Sequence, residues 1–181
     1  IMSRPRSNIV LIGMPGSGKS AIGPMLAQLA SMDFIDTDSL IRASEGRSLQ
    51  DIVDANGHMA LREIEERVLL GVSHQDHVIA TGGSAVYSRA GMEHLRSMGA
   101  IVFLHVDLET LTSRIKDYET RGLAKAPGQT LEDLFRERAA LYRRYADLTI
   151  ECASLDPESI CRTIIEGLNR LGLLEHAPTG T

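Results

Sequence analysis

Short apolar runs alternate along the chain with longer stretches in which apolar positions recur every three or four residues. Asn8-Ile9-Val10-Leu11-Ile12 is the first run, and its continuous apolarity is that of a strand buried on both faces. Residues 20–30 follow with helical spacing at Ile22, Met25, Leu26 and Leu29. Asp33-Phe34-Ile35 predicts a short second strand, with Asp36 and Asp38 at its C-terminal end. Helical segments are predicted over 39–43, 49–55 and 58–73, with Gly46 and Gly57 as breaks and Leu61, Ile64 and Val68 marking the last one. A third strand over 78–81 ends at Gly82-Gly83, a helix spans 90–98, and a fourth, nearly all-apolar strand spans 100–106. Residues 108–115 read as helix. The stretch 116–129 is polar, holds Gly122, Pro127 and Gly128, and has no apolar period. An irregular segment of that length predicts a lid. Thr130 then reads as the N-cap of a helix running to about Tyr145, with Asp133 reaching back to close a capping box. A fifth strand at 148–150 and a helix over 157–171 complete the pattern, and the tail after Leu174 reads as frayed.

Apolar strands alternating with helices predict an α/β fold of three layers, a five-stranded parallel sheet covered by helices on both faces. A chain of 181 residues is about one domain's worth, so residues 1–181 read as a single domain with a lid over about 116–129. Ligands of such sheets sit outside the carboxyl ends of the strands. Gly13, Asp36, Asp38, Gly82 and Gly83 all follow strand ends and should therefore share one crevice.

Composition narrows the class. The net charge of −5 argues against a general nucleic-acid binder. No apolar stretch is long enough to span a membrane, and the start lacks the apolar stretch of a signal peptide. Cys152 and Cys161 are the only cysteines, too far apart for a C-x-x-C metal pair, and read as reduced thiols of a cytoplasmic protein. The six histidines show no metal-binding spacing.

Candidate chemistry begins at Gly13-Met14-Pro15-Gly16-Ser17-Gly18-Lys19-Ser20, which fits the phosphate-loop pattern G-x-x-x-x-G-K-[ST] between a strand and a helix. That arrangement aims backbone N–H groups and a helix N-terminus at phosphate oxygens. Gly13, Pro15, Gly16, Ser17, Gly18, Lys19, Ser20 and Ala21 are thus the predicted ATP site. Lys19 reaches the β- and γ-phosphates, and the Ser20 hydroxyl is placed for Mg²⁺. Phosphoryl transfer to an alcohol needs a held metal and a carboxylate beside the attacked hydroxyl, and Asp36 and Asp38 can supply one each. Alternatively the pair is a polar turn, with Asp38 or Ser39 capping the next helix. Gly82 and Gly83 either let a backbone N–H approach a ligand or make a tight turn. Arg62 and Glu65 share a helix face, with Glu66 also in reach, an arrangement equally that of a solvated ion-paired surface. Arg121 lies in the predicted lid, where a closing loop could bring it to the transferred phosphoryl. Arg138 lies on the next helix, while Arg143 and Arg144 read as surface charges, and Tyr142 and Tyr145 as core or rim.

Taken together, the glycine loop, Asp36-Thr37-Asp38, Leu61-Arg62-x-x-Glu65, Thr81-Gly82-Gly83, Arg121 and Arg138-x-x-Leu141-Tyr142 resemble the shikimate kinase family from about residue 8 to residue 165. The resemblance implies transfer of the ATP γ-phosphate to the 3-hydroxyl of shikimate by a small, monomeric enzyme. It implies that Asp36 supports the metal and that Asp38 binds substrate hydroxyls and accepts the proton of the attacking one. Arg62 and Arg138 would clamp the substrate carboxylate, Glu65 would orient Arg62, and Gly82 and Gly83 would offer backbone contacts, within a helical acceptor region of about 38–73. Arg121 would close over the phosphates, and Arg114 and the loop near Pro157 would pack the adenine. The chain departs from the family's usual residues at Ser84 (commonly a third glycine), Leu61 (Phe), Gly122 and Ala124 (the lid's R-P-L-L) and Ala140 (Pro), and lacks an arginine near Ser154. Other readings of the same residues are a kinase for another hydroxylated carboxylate, such as gluconate, and a nucleotide-binding regulator without phosphotransfer.

Overall fold

A continuous apolar strand can be satisfied only at the centre of a sheet covered on both sides, and the fold is built around one. The structure is a computed structural model that describes residues 7–115 and 126–174. Strand β1 (Asn8–Ile12) is buried at every position. It is flanked by β3 (His77–Ala80) and β4 (Gly99–His105), with β2 (Asp33–Asp36) and β5 (Leu148–Glu151) at the edges. The order is β2-β3-β1-β4-β5 and every pairing is parallel. Ile9, Val10 and Leu11 stand between Val78, Ile79 and Ala80 on one side and Ala100, Ile101 and Val102 on the other. Asn8, fully buried at the foot of β1, is satisfied by donating to the His74 and Met98 carbonyls and accepting from the His77 N–H.

The helices are α1 (Lys19–Leu29), α2 (Thr37–Glu45), α3 (Leu49–Asn56), α4 (His58–Leu70), α5 (Arg89–Met98), α6 (Leu108–Arg114), α7 (Leu131–Tyr145) and α8 (Pro157–Arg170). A 3₁₀ turn, Ala85–Tyr87, precedes α5. Two apolar clusters result. The larger joins the sheet to α1, α5, α7 and α8, and the smaller, Ile41, Ile52, Leu61 and Ile64, ties α2, α3 and α4 together. Burying each of these aliphatic side chains contributes roughly 1.5–3 kcal/mol. No helix among the described residues is long and apolar enough to cross a membrane.

The expected elements form, with differences that have local causes. The capping box at Thr130 and Asp133 is present in both directions. Helix α2 starts at Thr37 rather than at 39, because Asp36 accepts from the Asp38 N–H and caps it with no intervening loop. Asp38 is therefore a first-turn helical residue, and neither it nor Ser39 is the cap. Strand β3 stops at Ala80, and the Thr81 hydroxyl turns back to donate to the Leu11 carbonyl at 2.9 Å. Helix α1 contains Pro24, which has no N–H to give to the Ser20 carbonyl four residues before it. Gly23 makes room for the Phe34 ring, since a Cβ there would stand 2.2 Å from it.

The chain leaves β1 for the β2 edge, returns through β3 and then crosses to β4 on the far side of β1. The reversal opens a crevice at the carboxyl end of β1, and the loop after β1 lies in it.

Candidate active site

The glycine loop turns sharply out of β1, and Gly18 (φ 100°) is the left-handed residue from which α1 begins. No side chain caps that helix, so its first-turn N–H groups face an incoming anion. Lys19 is buried, and its ammonium lies along the loop, donating to the Gly13 carbonyl at 2.6 Å, the Met14 carbonyl at 2.9 Å and Ser17 Oγ at 3.3 Å. Burial pulls its pKa down to about 8, against the opposing charge of Asp38. Ser20 is exposed, with its hydroxyl 3.5 Å from Asp36 Oδ2.

A cavity of about 520 Å³ opens above this loop. Pro15, Gly16, Gly18, Lys19, Ser20 and Ala21 line one side, and Asp36, Asp38, Thr81, Gly82 and Gly83 the other. Arg114, at the end of α6, borders it and donates to the Gly16 carbonyl at 3.0 Å. Gly13 and Ser17 lie beneath the loop, where a Cβ on Gly13 would meet the Leu104 carbonyl at 2.8 Å. Pro157 is exposed at the first position of α8 and is not part of that lining. Arg121, with Gly122 and Ala124, lies outside the described residues, as does most of the expected lid.

The acceptor side differs from its sequence reading in three respects. Glu65 is not on a solvated face: it is 2% exposed, borders Gly82 and lines a neighbouring cavity with Arg62, Ser84 and Tyr87. Nor does it orient Arg62. Its Oε2 accepts the Ser84 hydroxyl, while the Arg62 guanidinium lies 3.6 Å above the Tyr87 ring. The reason is reach: α4 packs with Glu65 inward toward the Gly82 loop, and Arg62, one turn earlier, leans outward onto the 3₁₀ turn. Third, the Gly82 N–H is already given to Thr37 Oγ1 at 3.3 Å, so what Gly82 provides is room. A Cβ there would fall 2.6 Å from Glu65 Oε1 and 2.7 Å from Asp38 Oδ1. Both of those oxygens are enclosed and lack a hydrogen-bond partner.

Arg138 is 1% exposed. Its Nη1 would meet a Cβ on Gly83 at 2.6 Å, and its Nε donates to the Tyr87 hydroxyl at 3.4 Å. Tyr142, beside it in the core, donates to the Gly83 carbonyl at 2.7 Å and so ties α7 to the loop after β3. Tyr87 therefore stands between the two arginines read as a carboxylate clamp. Sequence reasoning missed it, since it lies on an irregular turn that carries no periodic signal. Leu61 belongs to the smaller apolar cluster at 2% exposure and does not border the crevice. Arg143 and Arg144 are exposed as expected.

The electrostatics follow from the packing. Burial raises the Asp38 carboxyl above its ordinary value, Asp36 adds to the rise, and Lys19 and Arg42 oppose it. Burial likewise pushes Glu65 up to about 7, with Asp38 adding and the Ser84 hydrogen bond, Arg138 and Lys19 opposing. A folded-state value above the ordinary 4.5 means that stability is full below that pH and is lost as pH rises through about 7. Glu65→Gln is thus expected to raise Tm by roughly 5 °C at pH 8 and to lose that advantage toward pH 5. Thermal unfolding at the two pH values checks it, and an equal change at both would show that Glu65 does not titrate with folding.

Sequence and fold both match known proteins. A family model for shikimate kinase matches residues 15–169. A shikimate kinase of Pseudomonas aeruginosa is 36% identical over 91% of this chain and 97% of its own. One from Sulfurihydrogenibium is 34% identical over 90% of this chain and 98% of its own. The solved structure of the Acinetobacter baumannii shikimate kinase in complex with shikimate superposes with a TM-score of 0.84 at 30% identity, covering 93% of this chain and 96% of that one. With the phosphate loop, the paired aspartates and the two glycines meeting in one crevice, the chain belongs to the shikimate kinase family of ATP-dependent kinases.

Proposed function

We propose that this chain transfers the γ-phosphate of ATP to the 3-hydroxyl of shikimate. The observation that carries the acceptor half is the pair of enclosed, unpartnered oxygens, Asp38 Oδ1 and Glu65 Oε1, facing Gly82 beside the phosphate loop. Buried acceptors without donors cost free energy, about 1–3 kcal/mol each, that hydroxyl groups of a bound polyol would return. Arg138, planar and enclosed, and Arg62, held on Tyr87, suit a substrate carboxylate.

Gly13, Pro15, Gly16, Ser17, Gly18 and Ala21 would cradle the nucleotide phosphates, and Lys19 would neutralise charge on the phosphoryl in flight. Asp38 would take the proton of the attacking hydroxyl, and its raised pKa makes it a stronger base than an exposed carboxylate. Arg114 and the chain near Pro157 would face the adenine. The Ser20 hydroxyl and Asp36 carboxylate, 3.5 Å apart at the rim, are hard oxygen donors suited to Mg²⁺. When bound, that ion would offset the negative charge of the nucleotide phosphates. A net charge of −5 fits a protein that works on a small molecule and not on nucleic acid.

The test is ADP release by purified protein with ATP, Mg²⁺ and a panel of hydroxy acids. Shikimate-dependent release is expected. Release with a different acid alone would move the acceptor, and release with none would leave only nucleotide binding.

A further inference from the structure

Glu65 has two oxygens with opposite fates. Oε2 accepts from Ser84, whereas Oε1 has no partner and points at the same face of Gly82 as Asp38 Oδ1. The terminal torsion of a glutamate is broad and roughly two-fold, so a carboxylate this close to a substrate needs something to stop it turning. Arg62 does not supply that restraint, because its guanidinium rests on Tyr87. Ser84 does, and it is well placed to do so: it is 8% exposed and opens the 3₁₀ turn, with the Tyr87 N–H donating to the Ser84 carbonyl at 3.1 Å and the Ala85 N–H to the Gly82 carbonyl at 3.2 Å.

We propose that Ser84 is a positioning residue of the acceptor site: its hydroxyl pins Glu65 through Oε2, so that Oε1 stands next to Asp38 Oδ1 as a second acceptor for substrate hydroxyls. A glycine at this position would leave Glu65 without that donor. The site would then favour acceptors carrying a hydroxyl beside the one that is phosphorylated, because two fixed oxygens receive two neighbouring hydroxyl hydrogens. The charges that face Glu65 are Asp38 from α2, Lys19 from α1 and Arg138 from α7. The hydrogen bond from Ser84 opposes the rise that burial imposes on its pKa. Ser84 thus favours the ionised, hydrogen-accepting form as well as its orientation.

This assignment rests on the acceptor site under Proposed function, and the experiment separates the two. Ser84→Ala is expected to raise the acceptor KM roughly tenfold, the size of a charge-assisted hydrogen bond, with the ATP KM unchanged. In a Glu65→Met background, where residue 65 has no oxygen to accept the serine hydroxyl, the same substitution should add nothing, since Ser84 acts through Glu65. In the free protein, the Glu65 carboxyl ¹³C shift should titrate at higher pH in Ser84→Ala than in the parent. Ser84→Gly repeats all three measurements in case the alanine variant folds poorly. An unchanged acceptor KM, an independent effect in the Glu65→Met background, or an unmoved Glu65 titration each overturns the assignment. Failure of the parent enzyme to use shikimate would instead remove the acceptor identity, while the ¹³C titration, which needs no acceptor, still decides whether Ser84 governs Glu65.

Discussion

Asp38→Asn is expected to lower kcat by about 10²–10⁴-fold, the usual contribution of a positioned general base, while ATP binds as before. Asparagine keeps the size and planarity of the side chain. It also leaves the α2 cap intact, because what Asp36 accepts from is the backbone N–H of residue 38. The lost property is the ability to take a proton from a hydroxyl resting against Oδ1. Nucleotide affinity should hold, since the phosphate contacts proposed above fall to the loop, Lys19 and the uncapped end of α1 and not to Asp38. Single-turnover phosphoryl transfer, with calorimetry for the nucleotide, checks both halves. A kcat within tenfold of the parent would take Asp38 out of the proton transfer.

The second large effect is on the fold itself. Arg138→Ala is expected to destabilise the protein by about 3–5 kcal/mol, because it removes the cation of a buried charge network. Arg138 is among the largest fully enclosed side chains, and Glu65, Tyr87 and Tyr142 lie around it. For a chain of this size that corresponds to a Tm lower by roughly 10 °C. Arg138→Lys separates packing from recognition. It retains charge but not the planar fork, so it should recover most of the Tm while leaving the acceptor KM high. Equal recovery of both would show that the charge at position 138, and not the planar fork, serves both packing and the acceptor. Equal loss of both would show that its geometry serves packing as much as substrate.

Local signals in the sequence located what local signals can. The phosphate loop, the capping box at Thr130 and Asp133 and the five parallel strands all rest on spacing within a dozen residues, and all are present. Asp36 and Asp38 needed the glycine loop as context, and the crevice does bring them to it. What escaped depends on contacts between distant segments. Residues 62–67 of α4 are mostly charged and look like a surface, yet Glu65 is turned inward by α4 packing on α5 and the turn before it, and Ser84 receives it. The join of β2 to α2 was read two residues late, because Thr37 is β-branched and gives no helical signal, while the side chain of Asp36 supplies the cap.

That join limits which side chains position 36 can hold. One oxygen of Asp36 closes the first turn of α2 and the other faces Ser20 across the rim. Asparagine would keep the cap and forfeit the charge; glutamate would keep the charge but overshoot the helix end; serine would cap without reaching Ser20. Two demands that many proteins divide between two residues are fused here in one carboxylate. Position 36 has no conservative neighbour in sequence space, and drift there should be far more restricted than its half-exposed setting suggests.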